Sequence, residues 1–365
     1  MSDRTERVLA LMRGEGSGPK ASAARAGLRA LSGLYAFGIG VYWMMYRTGL
    51  LRRVRLKPVV ISVGNLTVGG TGKTTTIQFL ARALTSEGLK VAVLSYGYRA
   101  ASKDSVGIVS DESGVLMKAG EAGDEAVLLA RSLPGVPVLI GRRRVLSGAI
   151  AQERFKPDVL LCDDAFQYWR LERDIDLLLV DAVEPWGYGH VLPRGLLREP
   201  KRMASRADAI LMTHADLVDA DQRTALRREL VTFGRPVWTA RHAPHALTDL
   251  DGRTTDALAE RPVLAVSSLG DPVSFEATLR NMGAVVTPHR FPDHHRYTVE
   301  DVRLVERIAR DNRLSIVTTA KDAVKIREMA TRDAWWVLQI ALALDEDNTF
   351  RLWILQTIKL RSEKE

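Results

Sequence analysis

Residues 58–98 read PVVISVGNLTVGGTGKTTTIQFLARALTSEGLKVAVLSYGY, and this stretch decides the fold. Val59–Val63 is a short apolar, β-branched run, the pattern of a buried parallel strand. A Gly-rich turn follows, and then Ile77, Leu80, Ala81 and Leu84 recur at the spacing of one helix face. Val91–Ser95 is the next strand. A strand–loop–helix unit with Gly69, Gly70, Gly72, Lys73 and Thr74 in the loop has the layout of a phosphate-binding loop. Its glycines let backbone N–H groups close around phosphate oxygens, and the helix N-terminus adds its positive end. The spacing places Thr67 where such loops commonly begin with Gly, so the loop is a variant. Thr67, Val68, Gly69, Gly70, Thr71, Gly72, Lys73, Thr74 and Thr75 are the expected nucleotide-binding residues. Lys73 would bridge the β- and γ-phosphates, and the Thr74 hydroxyl would hold Mg²⁺.

Phosphoryl transfer also needs a carboxylate for the metal and a group to take a proton. Such residues sit at the C-terminal ends of strands in α/β sheets. Asp163 and Asp164 follow the apolar Val159–Cys162, and Asp181 ends Ile175–Val180. A doubled charge at the end of a buried strand is costly without a cation. Asp124 and Glu125 stand in a Gly-containing turn before a helix, where for an isolated GDE a helix cap is the favoured reading. Thr213–Asp216, THAD, superficially resembles a guanine-reading loop, but His214 replaces the Lys that covers the base.

Outward from this unit, 365 residues suggest two domains, and the net charge of +8 suits an anionic partner. The single Cys162 excludes an intrachain disulfide and reads as a buried, inert thiol. Residues 1–27 read as a frayed polar tail. Residues 28–57 read as a membrane-associating helix with a basic exit: Ala30–Tyr46 carry no charge, and Arg47, Arg52, Arg53, Arg55 and Lys57 follow. That run is at the short limit for a span, roughly 17–25 residues, so lying on or dipping into the cytoplasmic face is favoured over crossing. Residues 58–233 form the expected phosphate-loop domain, 234–261 a Pro-, Gly- and Asp-rich connector, and 262–365 a smaller α/β lobe. Basic residues cluster at Arg142–Arg144 and at Arg194, Arg198, Lys201, Arg202 and Arg206, which read either as a solvated basic face or, from their place after strand ends, as a surface for an acceptor phosphate and the membrane. No nucleic-acid-binding motif is present.

Taken in order, VGNLTVGGTGKT (63–74), LSYGYR (94–99), AGDEAVLLA (122–130), VLIGRRR (138–144), DDAFQYWRLERDIDLLLVDA (163–182), VLPRGLLREP (191–200), FPDHHRYT (291–298) and TTAKDAVKI (318–326) resemble the tetraacyldisaccharide 4'-kinases. The resemblance implies a P-loop NTPase-like α/β/α sandwich with a second lobe and ATP-dependent phosphorylation of the 4'-hydroxyl of a tetraacyldisaccharide 1-phosphate, giving lipid IVA. It implies the cytoplasmic face of the inner membrane as the location, peripheral or monotopic, and no obligate protein partner. Residue by residue, it implies Lys73, Asp124 and His294 as catalytic, the histidine partnering the carboxylate. Thr74, Asp163, Asp164 and Glu125 are implied around Mg²⁺, and Arg144, Gln167, Tyr168 and Arg198 around substrate. Tyr168 stands where the family usually has His, Ala165 where it has Gly, Tyr96 where it has Arg, and Thr75 where it commonly has Pro.

Overall fold

Residues 3–15, 17–97, 106–254, 258, 260–293 and 295–363 are described by a computed structural model of the chain. Two helices, α1 (Asp3–Arg13) and α2 (Pro19–Arg47), lead into β1 (Val59–Asn65) and α3 (Lys73–Ser86). Then come β2 (Val91–Ser95), β3 (Gly107–Asp111), β4 (Gly114–Val115), α4 (Ala119–Ala122), α5 (Asp124–Ser132), β5 (Val138–Ile140), α6 (Arg144–Phe155), β6 (Val159–Asp163), β7 (Ile175–Asp181), β8 (Ala209–Thr213) and α7 (Ala220–Val231). The remaining elements are β9 (Val237–Asp249), β10 (Pro262–Ser267), α8 (Pro272–Asn281), β11 (Val285–Arg290), α9 (Val299–Asp311), β12 (Ser315–Thr319), α10 (Ala320–Ile326), β13 (Trp335–Leu344) and α11 (Asp347–Ser362).

The strands run in the order β11-β10-β12-β13-β9-β8-β7-β1-β6-β2-β5-β3-β4. From β8 to β5 every pairing is parallel, and β1 lies between β7 and β6. The period of two along each strand assigns the two faces. Val59, Ile61 and Val63 point to a core with Ile77, Leu80 and Leu84 of α3, Leu129 of α5 and Phe350, Ile354 and Ile358 of α11. Val60, Leu160 and Cys162 point to the other face, against Ala151 of α6. This is the expected α/β/α sandwich, with helices burying both faces of a parallel sheet.

The second lobe repeats the design on a smaller scale. Val263 and Ala265 of β10 pack on Phe275 and Leu279 of α8, whereas Leu264 and Val266 pack on Val302, Val305 and Ala309 of α9.

Three expected boundaries are corrected. Residues 1–27 are largely helical: α1 forms, and α2 begins at Pro19, a residue suited to a first helical turn, and continues through Ala21, Ala23 and Ala24. The connector 234–261 contains the long strand β9, whose Val237–Thr239 pair with β8 and whose Ala240–Asp249 pair with β13. Its polar composition reflects position, since the middle of β9 is exposed where it bridges the lobes. The final helix does not belong to the second lobe: Phe350, Ile354 and Ile358 of α11 return to the first-lobe core. No helix among the described residues is long and apolar enough to cross a membrane.

Candidate active site

β1 ends at Asn65, β2 at Ser95, β6 at Asp163, β7 at Asp181 and β8 at Thr213, so five parallel strands present their last residues along one edge. The phosphate loop lies over this edge. Gly69 and Gly72 take φ of 137° and 80°, a region in which a side chain is strained. A Cβ on Gly70 would meet nothing within 4 Å, so its backbone is open to a ligand. Thr67 needs no glycine: it forms an antiparallel bridge with Leu197, and its Oγ1 accepts from Asn65 Nδ2 at 3.2 Å. Thr213 Oγ1 donates to the Thr71 carbonyl at 3.1 Å, pinning the loop to β8. Lys73 Nζ donates to Asn65 Oδ1 at 3.2 Å and to the Gly69 carbonyl at 3.4 Å. These neutral acceptors hold the ammonium over the loop, where a phosphate can replace them.

Asp163 and Asp164 have opposite environments. Asp163 is 4 % exposed; Ser95 Oγ donates to its Oδ2 at 3.2 Å, while its Oδ1 has no hydrogen-bond partner among the described residues. Burial, and then the charge of Asp164, pushes its carboxyl up to about 6. Asp164 adopts φ 52°, and burial would raise it too, but Lys73 (3.9 Å) and Arg198 hold it below the usual carboxylate range. The Arg198 guanidinium grips it in a fork, Nη1 to Oδ2 at 3.0 Å and Nη2 to Oδ1 at 2.8 Å. Nη2 also donates to the Asn65 carbonyl at 3.0 Å and to the Asn65 side chain. An orphaned, buried, charge-strained oxygen fits a cation, so Asp163 suits Mg²⁺, with the Thr74 hydroxyl of the phosphate loop as the other expected ligand. Asp164, the other expected metal ligand of the pair, is anchored in this structure by Arg198.

The expected substrate residues divide similarly. Arg144 is buried, donating from Nη1 to the Gly141 carbonyl (2.7 Å) and from Nη2 to the Asp163 carbonyl (2.9 Å). It braces the ends of β5 and β6 and reaches no open surface, which corrects its assignment. Tyr96 offers its ring to both Arg142 and Arg144. Gln167 Nε2 donates to the Asn65 carbonyl at 3.0 Å, beside Arg198. Tyr168 is half-buried against the α6 face of the sheet. Most of the second basic cluster is already engaged: Arg206 Nη2 donates to both carboxylate oxygens of Glu199 (2.7 and 2.8 Å), partly exposed Lys201 pairs with Glu229, and Arg194 is buried.

Asp124 and Glu125 open α5 and line a cavity of about 280 Å³ whose opposite wall is His295, Arg296, Tyr297, Lys321 and Lys325. The two lobes therefore meet across these carboxylates. His294 lies outside the described residues; its neighbour His295 lines this cavity and is held by Asp301 at 2.9 Å and stacked on Phe291.

Sequence reasoning passed over Glu199, His242 and Asn65, and read His214 only as a departure within THAD. Glu199, fully buried with Arg206, sits next to the singled-out Arg198, and an Arg-Glu pair before Pro200 was its only local sign. His242 of β9 lies 2.7 Å from Thr75 Oγ1, and a Cβ on Gly72 would strike its ring. His214, at φ 53°, is held by Asp181 at 3.0 Å and packs on His242 with ring centroids 4.4 Å apart. Asn65 closes the strand before the loop. Cys162 is buried as expected, and burial pushes its thiol up to about 12.

On the far side, α2 docks beside this edge. Ser32 Oγ donates to the Val191 carbonyl (2.8 Å) and accepts from Arg194 N–H (3.0 Å), and Tyr35 OH donates to the Arg198 carbonyl at 3.1 Å. Tyr42 and Tyr46 pack on Trp169. The outer face leaves Leu31, Leu34, Phe37, Val41 and Met44 exposed, with Leu34 at 70 % and Phe37 at 72 %.

Residues 24–359 match the family model described as tetraacyldisaccharide-1-P 4'-kinase. The tetraacyldisaccharide 4'-kinase of Syntrophus aciditrophicus (strain SB) is 42 % identical over 315 residues, 83 % of this chain and 84 % of that one. That of Desulfatibacillum aliphaticivorans is 35 % identical over 376 residues, 99 % of this chain and all of that one. The crystal structure of LpxK from Aquifex aeolicus in complex with ATP superposes with a TM-score of 0.76 at 30 % identity, covering 92 % of this chain and 99 % of that chain. The chain belongs to the tetraacyldisaccharide-1-P 4'-kinase family.

Proposed function

We propose that the chain transfers the γ-phosphoryl group of ATP to the 4'-hydroxyl of a tetraacyldisaccharide 1-phosphate, forming lipid IVA for lipid A synthesis. The observation that carries this reading is the joint placement of a Lys73 phosphate cradle and the Asp163 strand end in a lobe whose free carboxylates, Asp124 and Glu125, face the second lobe. The acceptor oxygen forms its bond to the γ-phosphorus as the bridging bond to the β-phosphate breaks, and ADP leaves with that electron pair. The hydroxyl proton passes to Asp124, a carboxylate without an ion-pair partner among the described residues. Lys73 leaves its neutral acceptors for the phosphates, and Arg198 keeps Asp164 and Asn65 fixed below them. Asp163 and Thr74 would hold Mg²⁺, which when bound would supply charge neutralisation on the phosphates. Glu125 lies beside these groups; its charge adds to the upward push on Asp163. His294 is proposed to orient Asp124, and lobe closure would bring that pair together.

The exposed stripe Leu31, Leu34, Phe37, Val41 and Met44 follows steps of three and four residues along α2, and exposed Arg47, Arg52 and Arg53 follow it. An apolar stripe with a basic flank suits an anionic membrane surface. We place it on the cytoplasmic face of the inner membrane, where the acylated acceptor is reached without leaving the bilayer.

The test is transfer of label from γ-labelled ATP to tetraacyldisaccharide 1-phosphate in mixed micelles. A labelled lipid is expected for the natural protein and none for Lys73→Ala. ATP hydrolysis with no labelled lipid contradicts the reading.

A further inference from the structure

The second-lobe wall of the cavity carries cations to which nothing above gives a role. Lys325 is already committed: its Nζ donates to Asp322 Oδ1 at 2.9 Å and to Ser268 Oγ at 2.7 Å. Asp322 is fully buried and also accepts from Ser268 N–H at 2.8 Å and from Thr319 Oγ1 at 3.1 Å. This network fixes α10 by its own side chains, so the helix is a rigid mount. Lys321 stands one turn earlier on α10, and residues four apart share a helix face. It lines the same cavity but makes no hydrogen bond or ion pair among the described residues. Asp124 and Glu125, on the opposite wall, likewise form no ion pair with it.

An ammonium and two carboxylates that share a cavity without meeting leave room for a ligand with complementary ends. The cation requires an anion, and the carboxylates require a proton donor or a metal ion. A phosphoryl group approached by a hydroxyl offers both at neighbouring atoms. A cation on a rigid element, across the cavity from Asp124 and Glu125, would act on the charge of the group in transit.

We propose that Lys321 is a catalytic residue supplied by the second lobe, contacting the phosphoryl group in transit from the side opposite Lys73. The inference rests on the kinase reading above. In the transfer step the acceptor oxygen–phosphorus bond forms, the β–γ bridging bond breaks toward ADP, and the hydroxyl proton goes to Asp124. Lys321 stays protonated throughout and contributes charge only. Because it sits on the second lobe, it also makes closure of the lobes a condition for transfer.

The experiment compares Lys321→Ala and Lys321→Arg with the natural protein in lipid phosphorylation, in melting temperature, and in affinity for ADP with and without aluminium fluoride, a phosphoryl mimic. Lys321→Ala is expected to lower kcat about 100-fold, to change KM for ATP less than about threefold, and to leave the melting temperature unchanged. Lys321→Arg is expected to recover kcat to within about tenfold of the natural protein. The affinity gained by ADP on adding aluminium fluoride is expected to disappear in Lys321→Ala. A kcat within twofold of the natural protein, or a loss of activity that tracks a lowered melting temperature, overturns the proposal. If the natural protein labels no lipid, the kinase reading fails on its own, and the aluminium fluoride gain still decides whether Lys321 meets a phosphoryl group.

Discussion

His242 Nε2 lies 2.7 Å from Thr75 Oγ1, joining the strand that bridges the two lobes to the first turn of the phosphate-loop helix. The Thr75 hydroxyl donates to the Gly72 carbonyl at 2.9 Å, so the histidine is the donor and carries its proton on Nε2. Nδ1 is then a buried acceptor without a partner among the described residues. Burial, and then the neighbouring His214, lowers His242 to about 4, so the ring is neutral at pH 7. Thr75 stands where the family commonly has Pro, which offers no hydroxyl, so this link depends on a departure of this chain.

The pH dependence of stability follows from that neutral ring. A histidine whose pKa is about 4 when folded and about 6.5 when unfolded binds fewer protons in the native state, so stability falls as pH drops from about 6.5 to about 4. The full contribution is about 3 kcal/mol. Denaturant titrations at pH 7 and pH 4.5 are expected to show this loss in the natural protein and a smaller loss in His242→Gln. His242→Ala, which removes the link to Thr75, is expected to weaken ATP binding about tenfold.

Asp163 titrates in the opposite sense. Its folded pKa, raised to about 6, means that stability is lost as pH rises from about 4 through 6 when no metal is bound. Asp163→Asn removes a buried charge next to Asp164 and is expected to stabilise the metal-free protein by about 1–2 kcal/mol near pH 7. Phosphoryl transfer is expected to be lost in the same variant, as is the stabilisation that added Mg²⁺ gives the natural protein. Thermal denaturation with and without Mg²⁺ checks both.

Arg198 holds Asp164 with two nitrogens and Asn65 with one of them. A lysine cannot reproduce that fork. Arg198→Lys is therefore expected to lose kcat nearly as severely as Arg198→Ala, about 100-fold, with KM for the lipid changed less than kcat. Steady-state kinetics on both variants measure it.

The outer stripe of α2 is separable from the fold, because Leu34 and Phe37 are exposed while Ser32 and Tyr35 make the contacts to the site loop. Leu34→Glu with Phe37→Glu is expected to reduce sedimentation with anionic vesicles at least tenfold and to leave the melting temperature unchanged.

What was legible in the sequence was local. Val59–Val63, the Gly-rich turn and the Ile77–Leu84 face lie within one continuous stretch, and the strand–loop–helix unit forms there as read. Asp163 was legible because a charge after four buried apolar residues has few structural explanations. Asp164 was not separable from it, because its partner Arg198 is 34 residues away and the pairing is a product of the fold. Arg144 read as a surface cation because nothing local shows that its guanidinium meets two carbonyls at strand ends. β9 read as a linker because a strand exposed in its middle has the polar composition of one. The return of α11 to the first lobe has no sequence signal at all.

The most direct measurement is single-turnover phosphoryl transfer by Asp124→Asn beside the natural protein, with ATP affinity measured on both. If the Lys73 loop and Asp124 serve one reaction, Asp124→Asn binds ATP normally and transfers phosphate to the lipid at least 1,000-fold more slowly, about the upper range for one acid–base group. Transfer within tenfold of the natural protein contradicts the account, because the proton of the 4'-hydroxyl would then leave by another group.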